Sequence, residues 1–431
     1  MDHKIINGRL LLRKNGRLTA EPGTLTVKDG RIFSVGAPPP PDGTRWTVLD
    51  AKDRLVMPGL VNMHTHLYMT ALRNRADDVP FTEWLFQRVA PLEEAMTPEE
   101  AYWSCLLGCM EMLLTGTTCF VDMHMFRGQS ARAAAECGLR AFIGRGLVGE
   151  DLYTDGRSRF DDFLWETENC SSDRIRTLLS PHAIYTCSET LLRQVAAEAE
   201  KGGLLKQIHL SESAQEVRDC LAKHGKTPVA YLEELGFLDE RTILAHCVKL
   251  TQADMEILAR TGAHAVTNPA SNAMLGNGFA PVVELKKRGV NVCIGTDSAA
   301  SNDTLNLFRE MGLLSLIQKG RAEDPTALIA PETLAMATEN AAKALGMAGS
   351  LGTLAPGAQA DLIFIDLRAP SLTPNADPVA ALCYSACGAE VTDVMVAGRV
   401  LLRDRDFVTI DKERVLYEIG GMMKKKMMKK K

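Results

Sequence analysis

Two histidines that could bind a metal close a short apolar segment of the chain. His64 and His66 end the candidate strand Leu60 to His66, with one residue between them. Because alternate residues of a strand point to the same side, both imidazoles can contact one cation. A single His-x-His pair is a weak signal for a metal, so the interpretation depends on what else the chain brings to the same place.

Three further candidates stand at the ends of later candidate strands. His209 ends the fifth strand, His246 ends the sixth, and Asp297 comes just after the eighth. Imidazoles and a carboxylate suit a borderline divalent ion, most often zinc, that keeps one position open for water. Such an ion lowers the pKa of its water toward about 7, which makes hydroxide available at neutral pH. The pattern therefore predicts a catalytic metal site.

The elements that must position these residues alternate along the middle of the chain. Eight candidate strands are Leu60 to His66, Cys119 to Met123, Ala141 to Val148, Thr177 to Pro181, Gln207 to Leu210, Thr242 to His246, Ala263 to Thr267 and Val290 to Gly295. Amphipathic segments lie between them, such as Pro98 to Leu114, Glu189 to Lys201 and Gln252 to Arg260, each beginning near a Thr or Ser that can cap a helix. Eight alternating βα units predict an α/β fold of the TIM-barrel type, with its active site at the C-terminal ends of the strands.

The two ends of the chain have a different pattern. Short apolar runs separated by hairpin signals such as Asn15-Gly16 and Asp29-Gly30 fill the N-terminal part, and similar runs return at 361–366 and 394–402. We expect one small β-sandwich domain made from both termini, residues 1–57 and 350–415. The barrel is then the catalytic domain, residues 58–349, and residues 416–431 form the end of a C-terminal helix and a lysine-rich tail.

Several motifs together resemble the amidohydrolase superfamily. They are PGLVNMHTH at 58–66, QIHLSES at 207–213, AHC at 245–247, NPASN at 268–272, LGNG at 275–278 and GTDSAASN at 295–302. Within the superfamily, they look like the deaminases of S-adenosylhomocysteine and 5′-methylthioadenosine. The resemblance covers nearly the whole chain and implies an amidohydrolase-type barrel.

The resemblance also implies a role for each residue. The metal ligands fall on His64, His66, His209 and Asp297, while His246 becomes a general base or water-orienting group and Glu212 the proton shuttle. Deamination of an adenine-like ring requires hydroxide to add at the carbon that bears the amine, while a proton reaches the adjacent ring nitrogen. Glu212 lies near ligand His209 in sequence and is the natural acid, and Asp297 can also accept the hydroxide proton. The alternative for Glu212 is a solvated loop carboxylate.

The long segment after the first strand, Leu67 to Pro91, is predicted to cover the substrate. The resemblance implies that Trp84 packs on the nucleoside and that Glu93 accepts hydrogen bonds from both ribose hydroxyls. Simple core packing for Trp84 and an exposed helix start for Glu93 are the alternatives.

Three more residues are expected at the substrate. The resemblance implies that Arg145 and Arg157 face the 5′ substituent, where a guanidinium can pair with an amino-acid carboxylate, and that His182 contacts the ribose or the ring. A surface ion pair is the alternative for Arg157. The chain departs from the family pattern at His124, Thr267 and Ser298, which could alter the preference for the ring or the 5′ group.

Charge and cysteine content exclude other classes of protein. The formal net charge is −5, but the last ten residues carry six lysines, so the rest of the chain is clearly acidic, which argues against nucleic acid as a partner. The eleven cysteines form no CxxC pair, and no signal peptide or long apolar run is present. We therefore expect a cytoplasmic protein with no membrane partner, and we interpret the lysine tail as a solvated end.

These observations predict a cytoplasmic aminohydrolase with one divalent ion, most likely Zn²⁺. It would convert S-adenosylhomocysteine, 5′-methylthioadenosine, 5′-deoxyadenosine or adenosine to the inosine counterpart and ammonia. One ion is expected because Ser180-Pro181-His182 stands where binuclear relatives carry a bridging carboxylated lysine. A deaminase or dechlorinating hydrolase of guanine, pterin or triazine is the alternative enzyme. A non-catalytic scaffold would have lost ligands that are present here, and a homo-oligomer is compatible with the sequence.

Overall fold

The computed structural model describes residues 2–36 and 43–428, with side chains as far as Met422. The N-terminal strands are β1 (His3–Lys14), β2 (Arg17–Lys28), β3 (Arg31–Val35), β4 (Thr47–Asp50) and β5 (Arg54–Pro58). The central strands are β6 (Leu60–Thr65), β7 (Thr117–His124), β8 (Arg140–Leu147), β9 (Ile175–Thr177), β10 (Ser180–Pro181), β11 (Lys206–Leu210), β12 (Thr242–His246), β13 (His264–Thr267) and β14 (Val292–Ile294). The C-terminal strands are β15 (Leu362–Asp366), β16 (Val391–Val396), β17 (Arg399–Arg403) and β18 (Asp406–Phe407).

Strands from both ends of the chain form one β-sheet domain, as the short apolar runs and hairpin signals of both ends predict. The sheet order is β18-β17-β16-β15-β5-β1-β2-β3, and β4 pairs with the first half of β1. A register shift between Ile5 and Gly8 bends β1, so that β4 and β5 pair with its two halves. Apolar side chains of both ends, including Leu10, Val27 and Phe364, fill the interior of this domain. The domain boundaries themselves stay predictions.

The central strands form the predicted parallel barrel. Strands β6, β7 and β8 pair in sequence order, as do β11 to β14. The fourth predicted strand is divided into β9 and β10, because its Leu178 amide donates to Ile143 of β8 while its Leu179 amide donates to Leu205, next to β11. The barrel closes where the Asp297 amide donates to the His64 carbonyl oxygen at 2.9 Å. Only glycine fits at 295 in this closure, because a Cβ there would lie 2.7 Å from the His64 nitrogen.

Helices follow most of the barrel strands and two of the C-terminal strands. They are α1 (Phe81–Glu83), α2 (Ala90–Glu94), α3 (Pro98–Leu114), α4 (Gln129–Cys137), α5 (Arg157–Asn169), α6 (Glu189–Gly202), α7 (Ala214–His224), α8 (Pro228–Glu234), α9 (Gln252–Thr261), α10 (Pro269–Met274), α11 (Val282–Lys287), α12 (Ala299–Asn302), α13 (Leu307–Ala322), α14 (Ala330–Met336), α15 (Glu339–Ala344), α16 (Pro378–Tyr384) and α17 (Lys412–Met428). The predicted caps are present, because the side chains of Thr97, Ser188 and Thr251 accept backbone hydrogen bonds at the starts of α3, α6 and α9. The predicted substrate cover contains a 3₁₀ helix (Leu67–Leu72) and a π-helical segment (Trp84–Val89).

A buried ion pair joins the barrel to the β domain. Arg140, at the start of β8, donates through Nε to Asp361 Oδ2 at 2.7 Å, and the backbone amide of Ala397 donates to Asp361 Oδ1 at 2.8 Å. Both ionised side chains are almost completely buried. Removal of one partner would leave the other charge buried and unpaired, so this contact fixes how the two parts of the chain meet.

The lysine-rich tail lies largely outside the residues whose side chains the structure describes. Helix α17 continues to Met428, and the predicted solvated lysines lie beyond Met422, outside the described side chains. Among the described residues, no helix is at once long and apolar enough to cross a membrane.

Candidate functional site

Three imidazoles converge at the C-terminal end of the barrel. His64 and His66 come from the end of β6 and His209 from β11, and one ring nitrogen from each lies within 4.8 Å of the other two. The Nε2 atoms of His66 and His209 are 3.2 Å apart. The buried Nε2 atom of His64 has no hydrogen-bond partner among the described residues. An orphaned nitrogen that faces two others is what a metal-binding triad requires.

The hydrogen bonds of the other ring nitrogens direct all three Nε2 lone pairs toward this point. His66 donates through Nδ1 to the Met123 carbonyl oxygen at 2.8 Å, and His209 donates through Nδ1 to the His182 carbonyl oxygen at 2.6 Å. His64 Nδ1 lies 3.4 Å from the Oε1 atom of Gln207. Gln207 donates through Nε2 to Ser180 and Asp122, which leaves its Oε1 as the acceptor for His64. Such outer contacts fix the tautomer of metal-binding histidines.

Gln207 illustrates what sequence reasoning missed. It lies two residues before His209 on β11, so strand alternation places both side chains on the same side of the sheet. That spacing was the available signal for a residue supporting the metal ligands.

Asp297 completes the set of predicted ligands beside the triad. Its Oδ1 atom lies 3.7 Å from His64 Nε2 and 3.5 Å from His66 Nε2. Its Oδ2 atom accepts hydrogen bonds from Ser271 at 2.6 Å and from Ser301 at 3.2 Å. Burial opposes ionisation, but the neighbouring imidazoles hold the pKa of Asp297 below its usual value. The four predicted ligands are therefore brought together, with the carboxylate in the charged form that a cation needs.

His246 and Glu212 form the acid–base side of the cluster. His246 Nε2 lies 3.7 Å from Glu212 Oε2, and His246 Nδ1 is 2.9 Å from the side-chain oxygen of Asn272. Burial opposes the imidazolium form, but Glu212 and Asp297 raise the pKa of His246 above its usual value. Burial also raises the pKa of Glu212 to about 7, despite the opposing effect of His246.

Glu212 is thus a buried acid rather than the solvated loop carboxylate of the alternative. Asn277, in the LGNG motif, donates to Glu212 Oε1 at 2.9 Å. Glu216 holds the backbone below it by accepting hydrogen bonds from the amides of Ser211 at 2.8 Å and Glu212 at 2.7 Å. Because Oε1 is occupied by a donor, the proton of the neutral acid belongs on Oε2, the oxygen nearer to His246.

The ends of two barrel strands adopt unfavourable backbone conformations at this point. His246 has φ 76° and Asp297 has φ 62°, in the left-handed region that residues other than glycine seldom adopt. Such strain costs on the order of 1–3 kcal/mol per residue and persists where the surroundings enforce it, often at functional sites.

A cavity above the triad receives most of the predicted substrate residues. Its walls are His66, Tyr68, Met69, Phe81, Trp84, Leu85, Glu93, Met125, His182, Tyr185, His209, Glu212, His246, Leu275 and Asp297. Trp84 donates through Nε1 to the Ala300 carbonyl oxygen at 2.9 Å, which fixes its indole in the wall. His182 Nδ1 is 2.9 Å from Thr186 Oγ1, and burial lowers the pKa of His182 to about 3, so its ring is neutral.

The two predicted arginines do not line this cavity. Arg145 donates through Nε to Asp162 at 3.1 Å and lies behind Met125. Arg157 is exposed at the start of α5 and pairs with Asp161 at 2.7 Å, which is the surface arrangement weighed as its alternative.

Arg159, two residues further along α5, is closer to the cavity and was missed from the sequence. It donates through Nη1 to the Met125 sulfur at 3.0 Å and to the Gly146 carbonyl oxygen at 2.9 Å. Burial and Arg145 lower its pKa, while Tyr68 and Glu93 oppose that shift. It has no carboxylate partner within 4.0 Å among the described residues. Both arginines lie near the start of α5, but helical spacing places Arg159 on the same face as the buried residues Phe163 and Glu166, and this spacing was the available signal.

The positions that depart from the family pattern have different surroundings. His124 is fully buried and pairs with Glu166 at 3.1 Å, and this pairing raises the pKa of His124 against the effect of burial. The Ser298 amide donates to Asp297 Oδ1 at 2.8 Å, so this residue helps to orient a predicted ligand. Thr267 lies at the end of β13 and does not line the cavity.

Comparison with known proteins identifies the family of the chain. Residues 55–401 match the model of the family described as the amidohydrolase family. The chain belongs to that family. The resemblance inferred from its motifs and the expected barrel are therefore confirmed.

Relatives of this amidohydrolase include several deaminases. A 5′-deoxyadenosine deaminase of Methanothermobacter thermautotrophicus is 43% identical over 397 residues, which cover 91% of this chain and 92% of the relative. A 5-methylthioadenosine/S-adenosylhomocysteine deaminase of Caldanaerobacter subterraneus is 42% identical over 88% of both chains. The crystal structure of an adenosine deaminase from Xanthomonas campestris, with bound zinc, has a TM-score of 0.92 and 32% identity and covers 98% of both chains.

Proposed function

We propose that this amidohydrolase removes the amino group from the adenine ring of adenosine derivatives modified at the 5′ position. The products are the corresponding inosine derivative and ammonia. The observation that carries the proposal is Glu212, a buried acid with a pKa raised to about 7, beside a triad of metal-binding histidines. The names of the similar deaminases support the same reaction.

The residues present fit one zinc ion. His64, His66 and His209 offer three Nε2 lone pairs, one of them without any other partner, and Asp297 adds a carboxylate. A zinc ion held there supplies the Lewis acidity that makes water nucleophilic near neutral pH.

The acid–base residues move the protons of the reaction. Asp297 accepts the proton of the attacking water, because it borders the triad and is ionised, and His246 orients that water. Glu212 holds a proton at Oε2 and gives it to the ring nitrogen next to the carbon under attack, so no negative charge accumulates on the ring. The same groups then protonate the departing amine, which leaves as ammonia.

The remaining cavity residues are assigned to the nucleoside. Trp84 offers an indole face to the substrate, Glu93 accepts hydrogen bonds from the ribose hydroxyls, and neutral His182 contacts the ribose or ring. We assign the 5′ group to the side of the cavity near Met125, where Arg159 and Arg145 place positive charge. The predicted contact of Arg157 with the 5′ group remains to be tested, since its exposed side chain pairs with Asp161 at the surface.

Ammonia release from a panel of substrates tests the proposal. The zinc-loaded protein is given adenosine, 5′-deoxyadenosine, 5′-methylthioadenosine, S-adenosylhomocysteine and the free base guanine. We expect ammonia from the nucleosides and little from guanine, and Glu93→Ala should reduce the nucleoside reactions far more than any free-base reaction. Release from guanine alone would instead favour a deaminase of a free base, and no release from any adenosine derivative would refute the proposal.

We also propose that the enzyme works in the cytoplasm on a small-molecule substrate. All eleven cysteines are unpaired, which supports a reducing compartment. Sedimentation of the purified protein would distinguish a monomer from the homo-oligomer with which the sequence is compatible.

A further inference from the structure

Tyr68 is a cavity residue to which the proposed reaction assigns no role. It lies in the 3₁₀ helix just after ligand His66, is 1% exposed, and lines the cavity above the histidine triad. Its hydroxyl donates a hydrogen bond to Glu93 Oε1. Glu93 belongs to the short helix α2, which follows the π-helical segment that contains Trp84.

Two ring contacts and one backbone hydrogen bond hold Tyr68 in place. The Ser104 hydroxyl donates to the Tyr68 carbonyl oxygen at 2.5 Å, which ties its backbone to α3. Its ring packs edge-on against Phe126 at 5.4 Å and against His66 at 6.4 Å between ring centres. A phenol hydroxyl is an ordinary hydrogen-bond donor and a carboxylate is an acceptor, so the contact runs from Tyr68 to Glu93.

We propose that Tyr68 is a positioning residue that orients the Glu93 carboxylate toward the ribose hydroxyls of the substrate. The inference rests on the proposed function. A carboxylate can accept about four hydrogen bonds, two at each oxygen. Tyr68 takes one of them at Oε1 and stops the carboxylate from rotating, which leaves Oε2 and the second Oε1 lone pair for the two hydroxyls. Substrate recognition then depends on a phenol at the start of the covering segment, two residues after ligand His66.

The role makes a specific prediction about substrate selectivity. Tyr68→Phe removes only the hydroxyl and retains the packed ring. For adenosine, we expect KM to rise about tenfold with little change in kcat, because the binding of both hydroxyls weakens. A tenfold change corresponds to about 1.4 kcal/mol. For 2′,3′-dideoxyadenosine, which has no hydroxyl for Glu93 to bind, the same substitution should leave KM nearly unchanged.

Tyr102 provides a matched control outside the cavity. Its hydroxyl also donates to a carboxylate, that of Glu136, at 2.5 Å, and its ring is also buried. Tyr102→Phe therefore removes the same kind of hydrogen bond and should leave KM for both substrates unchanged. Tyr68→Met, a second variant without the donor, should reproduce the selective loss seen with Tyr68→Phe.

A double-variant cycle identifies the residue through which Tyr68 acts. In the Glu93→Gln background, Tyr68→Phe should have at most a small further effect on KM for adenosine. Equal losses on adenosine and the dideoxy substrate, no loss on either, or an undiminished loss in the Glu93→Gln background would each overturn the inference. Failure of the proposed function is distinct from all three, because the unmodified protein would then release no ammonia from any nucleoside.

Discussion

Substitution of Arg159 tests whether Arg159, as the structure indicates, or Arg157, as the sequence implied, binds the 5′ group of the substrate. Arg159→Gln removes a partly buried guanidinium that contacts Met125 in the cavity wall. Arg157→Gln is the matched control, because Arg157 lies on the same helix but is exposed and paired with Asp161. The test uses S-adenosylhomocysteine, which ends in an amino acid, and 5′-deoxyadenosine, which does not.

The size of the effect follows from the surroundings of the two arginines. A hydrogen bond to a charged group contributes about 1.5–3 kcal/mol, and Arg159 has no protein carboxylate within 4.0 Å to compete with the substrate's. At about 1.36 kcal/mol per factor of ten, Arg159→Gln should lower kcat/KM for S-adenosylhomocysteine by roughly 10- to 150-fold. The exposed pair of Arg157 is worth about 0.3–0.5 kcal/mol, so its loss should alter kcat/KM less than threefold.

The assay is ammonia release at several concentrations of each substrate, with the three proteins loaded equally with zinc. For 5′-deoxyadenosine we expect all three to have similar kcat/KM values. The reasoning is refuted if Arg159→Gln reduces both substrates equally, or if only Arg157→Gln discriminates against S-adenosylhomocysteine. The latter result would mean that α5 begins differently in the working enzyme.

Three other perturbations test the metal, the acid and the domain contact. His64→Asn should abolish stoichiometric zinc binding, measured by atomic emission, and a variant that keeps a full equivalent would contradict the ligand assignment. Glu212→Gln should lower kcat by about 10²- to 10⁴-fold without loss of fold. Because only protonated Glu212 is an acid, kcat of the unmodified enzyme should fall as pH rises through about 7. A kcat that stays constant from pH 6 to 9 would argue against that role. Arg140→Met should lower the free energy of unfolding, measured in urea, by about 3–5 kcal/mol, because it leaves Asp361 buried and unpaired. A decrease below about 1 kcal/mol would show that water reaches the Asp361 carboxylate.

Much of the barrel could be predicted because its strands are short, apolar and regularly spaced. The ends of β6, β11 and β12 coincide with His66, His209 and His246 to within one residue. Once a parallel barrel is assumed, the ends of its strands meet at one rim, so residues far apart in sequence are expected to converge there. The histidine triad and Asp297 illustrate this, since the closure of β14 on β6 brings the last ligand to the first.

The sequence by itself determined the fold class and the candidate residues at the strand ends, because both depend on residue type and on strand or helix periodicity. The choice of metal ligands among these residues and the acid role of Glu212 are predictions that come from the family resemblance. The tertiary structure decided the details that depend on side-chain direction. Arg159 rather than Arg157 lies beside the cavity wall, the Tyr68 hydroxyl donates a hydrogen bond to Glu93, and Gln207 orients the His64 ring. These contacts cross between separate elements, and a difference of two helical positions turns a side chain by roughly 200°. Periodicity can assign a residue to an element, but only the packed elements determine which neighbour it meets.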